Sequence, residues 1–307
     1  MALPQFDYIA PNTIEELTQA LARWGERARI LAGGTDLILL LRERLVRAQC
    51  LIDIGRLSGL RGIERTSAAG RTVGGLKIGG LKIGAATRIR DLERSSIVRD
   101  RYHALYQSAT QLGSAQIRDM ATLGGNSCTA SPAAETPPSL IVLGATVSLV
   151  SARGRREMPL EEFVQGTRRT ALAADEFLES FHLPEPWARS ASRYAFAGLR
   201  DAMEIDIANV AVNVGLAADA KTIERARIAM GAVGPVALRA KRAEALLAGR
   251  VPDAAALDEA AQACSAEAAP IDDMRGSAAY RLEVLKPLVR RTLAEALAAV
   301  RKQEGKL

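Results

Sequence analysis

The groups in this chain best placed to do chemistry are backbone amides, not side chains. Arg29-Ile30-Leu31-Ala32-Gly33-Gly34-Thr35-Asp36 reads as a short apolar strand that runs into a Gly-Gly turn and then into the apolar run Leu37 to Leu41. A strand, a tight glycine turn and a helix start leave successive N–H groups facing outwards. Glycine also lets a bulky ligand lie directly on the main chain. Such a site holds an anion without a dedicated cation. One Gly-Gly pair is usually just a turn. A second such loop closing on the same ligand would make a clamp, and Thr122-Leu123-Gly124-Gly125-Asn126 is the candidate.

The ligand that suits two such loops is a diphosphate. The Thr35 and Thr122 hydroxyls and the Asn126 amide would be neutral donors towards it. Asp36 would repel it and is expected to cap the backbone of its own turn. Glu135 could accept from a ribose hydroxyl or an adenine amine, but spacing alone favours a solvated loop carboxylate. Valine at Gly33 or Gly125 should block the diphosphate sterically.

Side-chain catalysts are scarce. The two histidines, His103 and His182, fall in an expected helix and strand, and neither is expected beside a serine or cysteine in a nucleophile arrangement. No H-E-x-x-H, G-x-S-x-G, G-x-G-x-x-G or complete P-loop occurs. Cys50, Cys128 and Cys264 lie far apart with no CxxC. That argues against a disulfide framework, a structural zinc or an iron–sulfur cluster in this chain. Cys128, two residues past Asn126, reads as a small buried thiol. Any chemistry would therefore belong to a bound cofactor.

Local patterns predict the elements that must hold the two glycine stretches. A helix over 11–25 has a possible capping box at Thr13 and Glu16 and a stop at Gly25. The strand into Gly33, a short helix from Leu37 to Val46 and a strand from Cys50 to Gly55 complete a small β/α unit. The unit Gly-Leu-Lys-Ile-Gly occurs twice between Gly75 and Gly84, at a spacing that favours a hairpin or bulged strands over one continuous strand. Thr87 is expected to cap a short helix, and one longer helix should run from Ile97 to Leu112 and stop at Gly113. Ser127 to Pro138 reads as an ordered loop before a helix, with strands at 145–150 and 176–183. Pro184-Glu185-Pro186 marks a boundary. Beyond it come strands near 209–216 and 223–233, then helices near 237–248, 254–266 and 278–302, the last with Pro287 inside. This part reads as a small α+β domain.

The 307 residues suffice for two domains, and the 48% apolar and 25% charged fractions are those of an ordinary globular protein. The net charge of +6 is spread along the chain and aromatics are only 4%, so a nucleic-acid surface is not expected. No membrane span and no secretory signal are expected, and a reducing cytoplasm is the natural compartment.

With both glycine stretches quoted, and Ile117-Arg118 just ahead of the second, the chain resembles the FAD-binding medium subunit of molybdenum hydroxylases. That family includes the flavoproteins of xanthine dehydrogenase and aerobic carbon monoxide dehydrogenase. The resemblance runs nearly end to end. It takes in Phe6-Asp7-Tyr8, Pro11, Thr13-Ile14-Glu15-Glu16, Asn209-Val210-Ala211-Val212, Gly231-Ala232-Val233-Gly234-Pro235 and Arg275-Gly276-Ser277-Ala278-Ala279-Tyr280-Arg281.

The resemblance implies an α+β chain with a two-subdomain FAD-binding region of the vanillyl-alcohol-oxidase (PCMH) type, residues 1–57 and 58–184. A small α+β C-terminal domain, 185–307, would follow. It implies that Arg29 to Asp36 and Thr122 to Asn126 clasp the FAD diphosphate, with Leu112 or Gly113 near the adenine or ribose. Glu135 falls where relatives carry an aspartate for the adenosine part, and Leu178 where an apolar residue lies against the flavin. Many relatives have a lysine where Ala197 stands, and Arg200 is a speculative substitute. FAD would be non-covalent. Molybdopterin and two [2Fe-2S] clusters would reside in a large and a small partner subunit, in a doubled heterotrimer, with electrons passing through FAD to an external acceptor. The alternatives are a stand-alone flavin oxidase or dehydrogenase of the same fold and a non-catalytic nucleotide-binding protein.

Overall fold

The computed structural model describes residues 3–67, 72–73, 76–77, 79–200 and 203–304. The chain opens with β1 (Asp7–Ile9), α1 (Ile14–Trp24), β2 (Ala28–Leu31), α2 (Leu37–Arg42) and β3 (Cys50–Asp53), and the strands form a parallel sheet of order β1-β3-β2. Thr13 accepts the Glu16 N–H at 3.1 Å, and Gly25, at φ 50°, ends the helix. The Glu16 carboxylate reaches the N–H of Asn12 at 2.7 Å, so the capping box closes one residue early. Leu17 and Leu21 of α1 bury against Cys50 and Ile52 of β3. Three residues are too few to show a period, and β1 was not expected from the sequence.

The next strands are β4 (Ile63–Thr66), β5 (Thr72–Val73), β6 (Leu76–Lys77) and β7 (Gly80–Gly84). β5 pairs antiparallel with β6, which lies in the first Gly-Leu-Lys-Ile-Gly copy, while β7, the second copy, pairs with β4 and β12; the two copies do not form the expected hairpin with each other among the described residues, and Gly75 and Ile78 lie outside those residues. Six helices follow: α3 (Ile89–Arg94), α4 (Ser96–Arg101), α5 (His103–Gln111), α6 (Ala115–Met120), α7 (Leu123–Thr129) and α8 (Thr136–Val142).

Two expectations here need correcting. The single helix over 97–112 is two, broken at Tyr102, whose buried ring sends its hydroxyl to the Pro184 carbonyl at 3.2 Å. Thr87 does not cap α3. Its hydroxyl donates to the Gly62 carbonyl and accepts from the Gly62 N–H, at 3.1 and 3.0 Å.

Then come β8 (Thr146–Ser151), β9 (Gly154–Pro159), α9 (Leu160–Phe163), β10 (Val164–Gly166), β11 (Arg169–Thr170) and β12 (Phe177–Pro184). A five-stranded antiparallel sheet has the order β4-β7-β12-β8-β9, with a bulge between Leu178 and Ser180. One face packs under α3, α5 and α8. Val150 and Phe177 on the other face join the core of α1 and β3.

The last part is β13 (Ser190–Ala197), β14 (Ala208–Leu216), β15 (Ile223–Gly231), β16 (Leu238–Arg239), α10 (Lys241–Leu247), α11 (Ala254–Glu267) and α12 (Ala278–Glu304). Its four strands form one antiparallel sheet in sequence order. Every residue of β14 is buried. Val210, Val212 and Val214 face the core under α10–α12, and Ala211 faces the core of the preceding part. Leu285, Val289, Leu293, Leu297 and Val300 form the buried stripe of α12, with Pro287 inside the helix. Among the described residues no helix is long and apolar enough to cross a membrane.

Candidate functional site

β2 ends at Leu31, whose carbonyl accepts the Ile54 N–H at 3.0 Å, and the chain then leaves the sheet. Gly34 takes φ 71°, a left-handed conformation that favours glycine, and turns the chain into α2. Along Gly33, Gly34, Thr35 and Asp36, no N–H donates to an acceptor among the described residues. The first intrahelical bond is from Ile38 N–H to the Gly34 carbonyl. Ala32 to Thr35 are half-buried and Asp36 is exposed. Ile30 packs on the first core, and the Arg29 guanidinium is committed to the Glu26 and Ala28 carbonyls, both at 2.7 Å.

The second glycine stretch is not a loop; it is the first turn of α7. Thr122 is its N-cap and accepts the Gly125 N–H at 3.0 Å. The Leu123 and Gly124 N–H groups dock on the Thr87 and Ala85 carbonyls, and Asn126 N–H returns to the Thr122 carbonyl. The N–H groups of 123–126 are thus occupied by the protein, and the free backbone donors come from the first stretch alone.

The two stretches nonetheless meet. A Cβ on Gly33 would collide with the Met120 carbonyl and come within 3.0 Å of Ala121 Cα, so only glycine allows the approach. Valine at Gly33 would meet the protein's own backbone before any ligand. At Gly125 a Cβ would lie 2.9 Å from Thr122 Oγ1 and disturb the cap. Asp36 sits at the N-cap of α2 but makes no capping bond; its carboxylate accepts from the Thr129 hydroxyl at 3.0 Å. The expectation that Asp36 caps its own turn is corrected.

α6 delivers Met120 to Gly33. Ahead of it, Leu112 is buried and Gly113 turns at φ 51°, with Ile117 Cγ2 3.0 Å from where a Cβ would stand. Arg118 holds this corner by donating to the Leu112 carbonyl at 3.2 Å and to Glu93 at 2.9 Å. Leu178 is buried on β12. Its neighbour Glu179 accepts the Ala85 N–H, and the Ala85 carbonyl accepts that of Gly124.

Glu135 is not a solvated loop carboxylate. Asn126 donates to it at 3.4 Å and accepts from Thr136 at 2.6 Å, which orients the amide between them. Some of its surface is accessible, yet protein surrounds it closely enough that desolvation dominates. That burial, with the nearby Asp206 and Asp36 charges, pushes its pKa up to about 8. Asp206 is itself buried and is raised to about 6 by desolvation, despite donors from Asn209 at 2.7 Å and Tyr194 at 2.9 Å. The same environment pushes the Tyr194 phenol well above its ordinary value.

Among the described residues no cation pairs with either of these carboxyls. The sequence reading missed Asp206, Tyr194 and Asn209. The available signal was an asparagine inside an otherwise apolar strand. Among the buried polar atoms that lack a hydrogen-bond partner are Ser127 Oγ on α7 and Asn209 Oδ1 on β14.

Other reactive groups stand apart. Burial raises the Cys128 thiol to about 12, which matches the small-thiol reading. His182 lies beside serines, with Nε2 3.2 Å from Ser148 Oγ and 3.1 Å from Ser180 Oγ, but not in a nucleophile arrangement. Both serines are buried and the other ring nitrogen has no acidic partner, so the arrangement lacks the orienting group of a nucleophile triad. Arg200 pairs with Glu204 at 3.3 Å and with the Met203 carbonyl at 2.6 Å inside its own loop, and Ala197 ends β13. Among the described residues no three His, Cys, Asp or Glu side chains converge on a metal site.

Comparison with known proteins places this geometry. Residues 4–186 match the model for the FAD binding domain in molybdopterin dehydrogenase, and residues 193–296 that for the CO dehydrogenase flavoprotein C-terminal domain. The chain belongs to the molybdenum hydroxylase FAD-subunit family. This family member is 32% identical to the 6-hydroxypseudooxynicotine dehydrogenase complex subunit alpha of Paenarthrobacter nicotinovorans, covering 97% of this chain and 96% of the relative. It is 31% identical to the carbon monoxide dehydrogenase medium chain of Hydrogenophaga pseudoflava, covering 97% and 99%. The solved carbon monoxide dehydrogenase of that organism superposes with a TM-score of 0.90 at 32% identity, covering 97% of this chain and 99% of that one. Quinoline 2-oxidoreductase from Pseudomonas putida 86 gives 0.87 at 29% identity, covering 98% and 99%.

The chain is a component of an oxidoreductase and its cofactor is FAD. The residues present fit that group. Free N–H groups from Gly33 to Asp36 suit a diphosphate, and a carboxyl and orphaned buried polar atoms nearby suit hydroxyl and amide functions.

Proposed function

We propose that this chain is the electron-transfer subunit of a molybdenum hydroxylase, taking electrons from the [2Fe-2S] clusters of a partner subunit and passing them through non-covalent FAD to an external acceptor. The observation that carries the reading is the run of free N–H groups from Gly33 to Asp36, pressed against the carbonyl that precedes α7. FAD supplies the redox chemistry when bound. The chain's own residues hold and orient it. The N–H groups of Gly33 to Asp36 neutralise diphosphate charge with help from the α2 N-terminus. Arg29 to Ala32 set that segment on β2. Thr122 to Asn126 build the facing wall, and Asn126 aims Glu135. Leu112 or Gly113 and Ile117 border the adenosine side, and Leu178 supplies an apolar contact. Glu135, protonated at neutral pH, can donate as well as accept a hydrogen bond.

The wider reading has residues 1–57 and 58–184 as two FAD-binding subdomains of the PCMH type, with 185–307 as the C-terminal domain. Partners would be a large molybdopterin-binding and a small [2Fe-2S] subunit in a doubled heterotrimer. A cytoplasmic setting suits cysteines that are all unpaired. The test is to purify the chain with its co-expressed partners and measure flavin per chain. A folded chain that never carries FAD sinks the reading.

A further inference from the structure

The link from α2 to β3 leaves the cofactor segment directly and turns an unusual mixture of side chains outwards. Leu39 is 47% exposed, Leu45 60% and Met120 53%. Met120 is the residue whose carbonyl lies against Gly33. Exposed large apolar side chains close to a redox cofactor mark a surface that is covered in the working protein. Arg42, Arg44 and Arg47 are exposed among them. Arg42 has only the neighbouring Glu43 at 3.8 Å, with both side chains more than half exposed, and Arg44 and Arg47 have no acidic partner among the described residues.

The backbone here is pinned. Glu43 N–H goes to the Leu39 carbonyl, Arg44 N–H to that of Leu41, and Leu45 N–H to that of Leu40. Arg44 takes φ 59°, where glycine would be unstrained. Its side chain is therefore kept at a conformational cost that no hydrogen bond or ion pair of that side chain among the described residues offsets. A rigid turn presenting apolar anchors and unpaired guanidinium groups has the make-up of an interface hot spot with an electrostatic rim.

We propose that this turn is the docking surface for an acidic face of the iron–sulfur partner subunit. The inference rests on the reading above. Three arginines against one glutamate select an acidic partner and steer its approach. Direct continuity with Asp36, which enters the cofactor segment, favours the subunit that hands electrons to the bound cofactor. Ile271 and Met274 form another exposed apolar tip, but Asp272 and Asp273 lie between them and the adjacent Arg275 is paired with Asp273 at 3.2 Å, so it lacks an unpaired basic rim.

The test uses the co-expressed complex carrying Arg44→Glu with Arg47→Glu, and separately Leu45→Ser with Arg47→Gln in case the Arg44 backbone rejects glutamate. FAD per chain and iron–sulfur subunit per chain are read together across a salt series. The expected result is unchanged FAD and at least about tenfold weaker association of the iron–sulfur subunit, with a flatter salt dependence. A variant that keeps FAD and retains the partner with unaltered salt dependence overturns the proposal. So does loss of the partner from Met274→Ser alone. Failure of the functional reading would look different, because the unaltered chain would then lack FAD.

Discussion

The Thr129 hydroxyl donates to the Asp36 carboxylate at 3.0 Å, across 93 positions of sequence, and so ties the last residue of α7 to the entry of α2. The carboxylate that looked hostile to a diphosphate is drawn aside by this bond and holds the two glycine stretches together. Asp36→Ala and Thr129→Val should each weaken FAD binding by about 1 kcal/mol, roughly fivefold in dissociation constant, because the bond is surface-accessible. Flavin fluorescence titration of the apoprotein measures it. Unchanged affinity in both variants would show that the tether is incidental.

Gly33 and Gly25 separate close approach from backbone conformation. Gly33→Ala must push the Met120–Ala121 backbone away, whereas a Cβ at Gly25 meets nothing within 4 Å and suffers only the positive φ. Gly33→Ala is expected to lose about 2–3 kcal/mol and most of its FAD. Gly25→Ala should lose about 1 kcal/mol and keep FAD. Urea denaturation and the ratio of flavin to protein absorbance distinguish the two. Full flavin content in Gly33→Ala would mean that the contact with Met120 is not needed.

Glu135 binds its proton more tightly in the folded chain, at about 8 against an ordinary 4.5, and Asp206 at about 6 against 3.8. Between those values the folded state holds protons that the unfolded chain releases, so stability falls as pH rises from about 4.5 to about 8. A tenfold difference in proton affinity is worth about 1.4 kcal/mol, and the solvent that reaches part of Glu135 makes that a ceiling. FAD-free protein should therefore be more stable at mildly acidic than at mildly alkaline pH, and Glu135→Gln should flatten the profile. Denaturant midpoints taken across that pH range decide the matter, and a parallel profile in the variant would assign the slope elsewhere.

Arg281 is a buried fork at the start of α12. Its guanidinium donates to the Ile207 and Ala232 carbonyls at 2.8 and 2.9 Å and to Asp273 at 2.6 Å. Arg281→Met would remove the guanidinium donor from the Ile207 and Ala232 carbonyls, while Asp273 keeps Arg275, and should lower stability by about 3 kcal/mol. Arg281→Lys should recover little, because an ammonium cannot span the fork. Thermal unfolding of both variants gives the comparison, and near-native stability in the lysine variant would reduce the fork to a point charge.

Legibility followed the range of the forces involved. α1, its Thr13 cap and its Gly25 stop, the α12 stripe and the Gly33–Gly34 turn are local signals and were readable. The helix at Leu123-Gly124-Gly125-Asn126 was not, because glycine and asparagine are poor helix formers. It forms because Thr122 caps it and because Ala85 and Thr87 take its first N–H groups. That same docking withdraws the donors that the sequence assigned to a ligand. The buried setting of Glu135 depends on Asp206 and Tyr194, both distant in sequence, and no spacing rule could supply it.

β14 sends Val210, Val212 and Val214 into one core and Ala211 into the other, while its Asn213 amide donates to the Val142 carbonyl at 3.3 Å. A strand with a foot in each core makes the two parts a single cooperative unit, even though separate family models describe them. Melting should then be one transition rather than two, and a chain cut in the Pro184-Glu185-Pro186 link should yield halves that survive only by finding each other again.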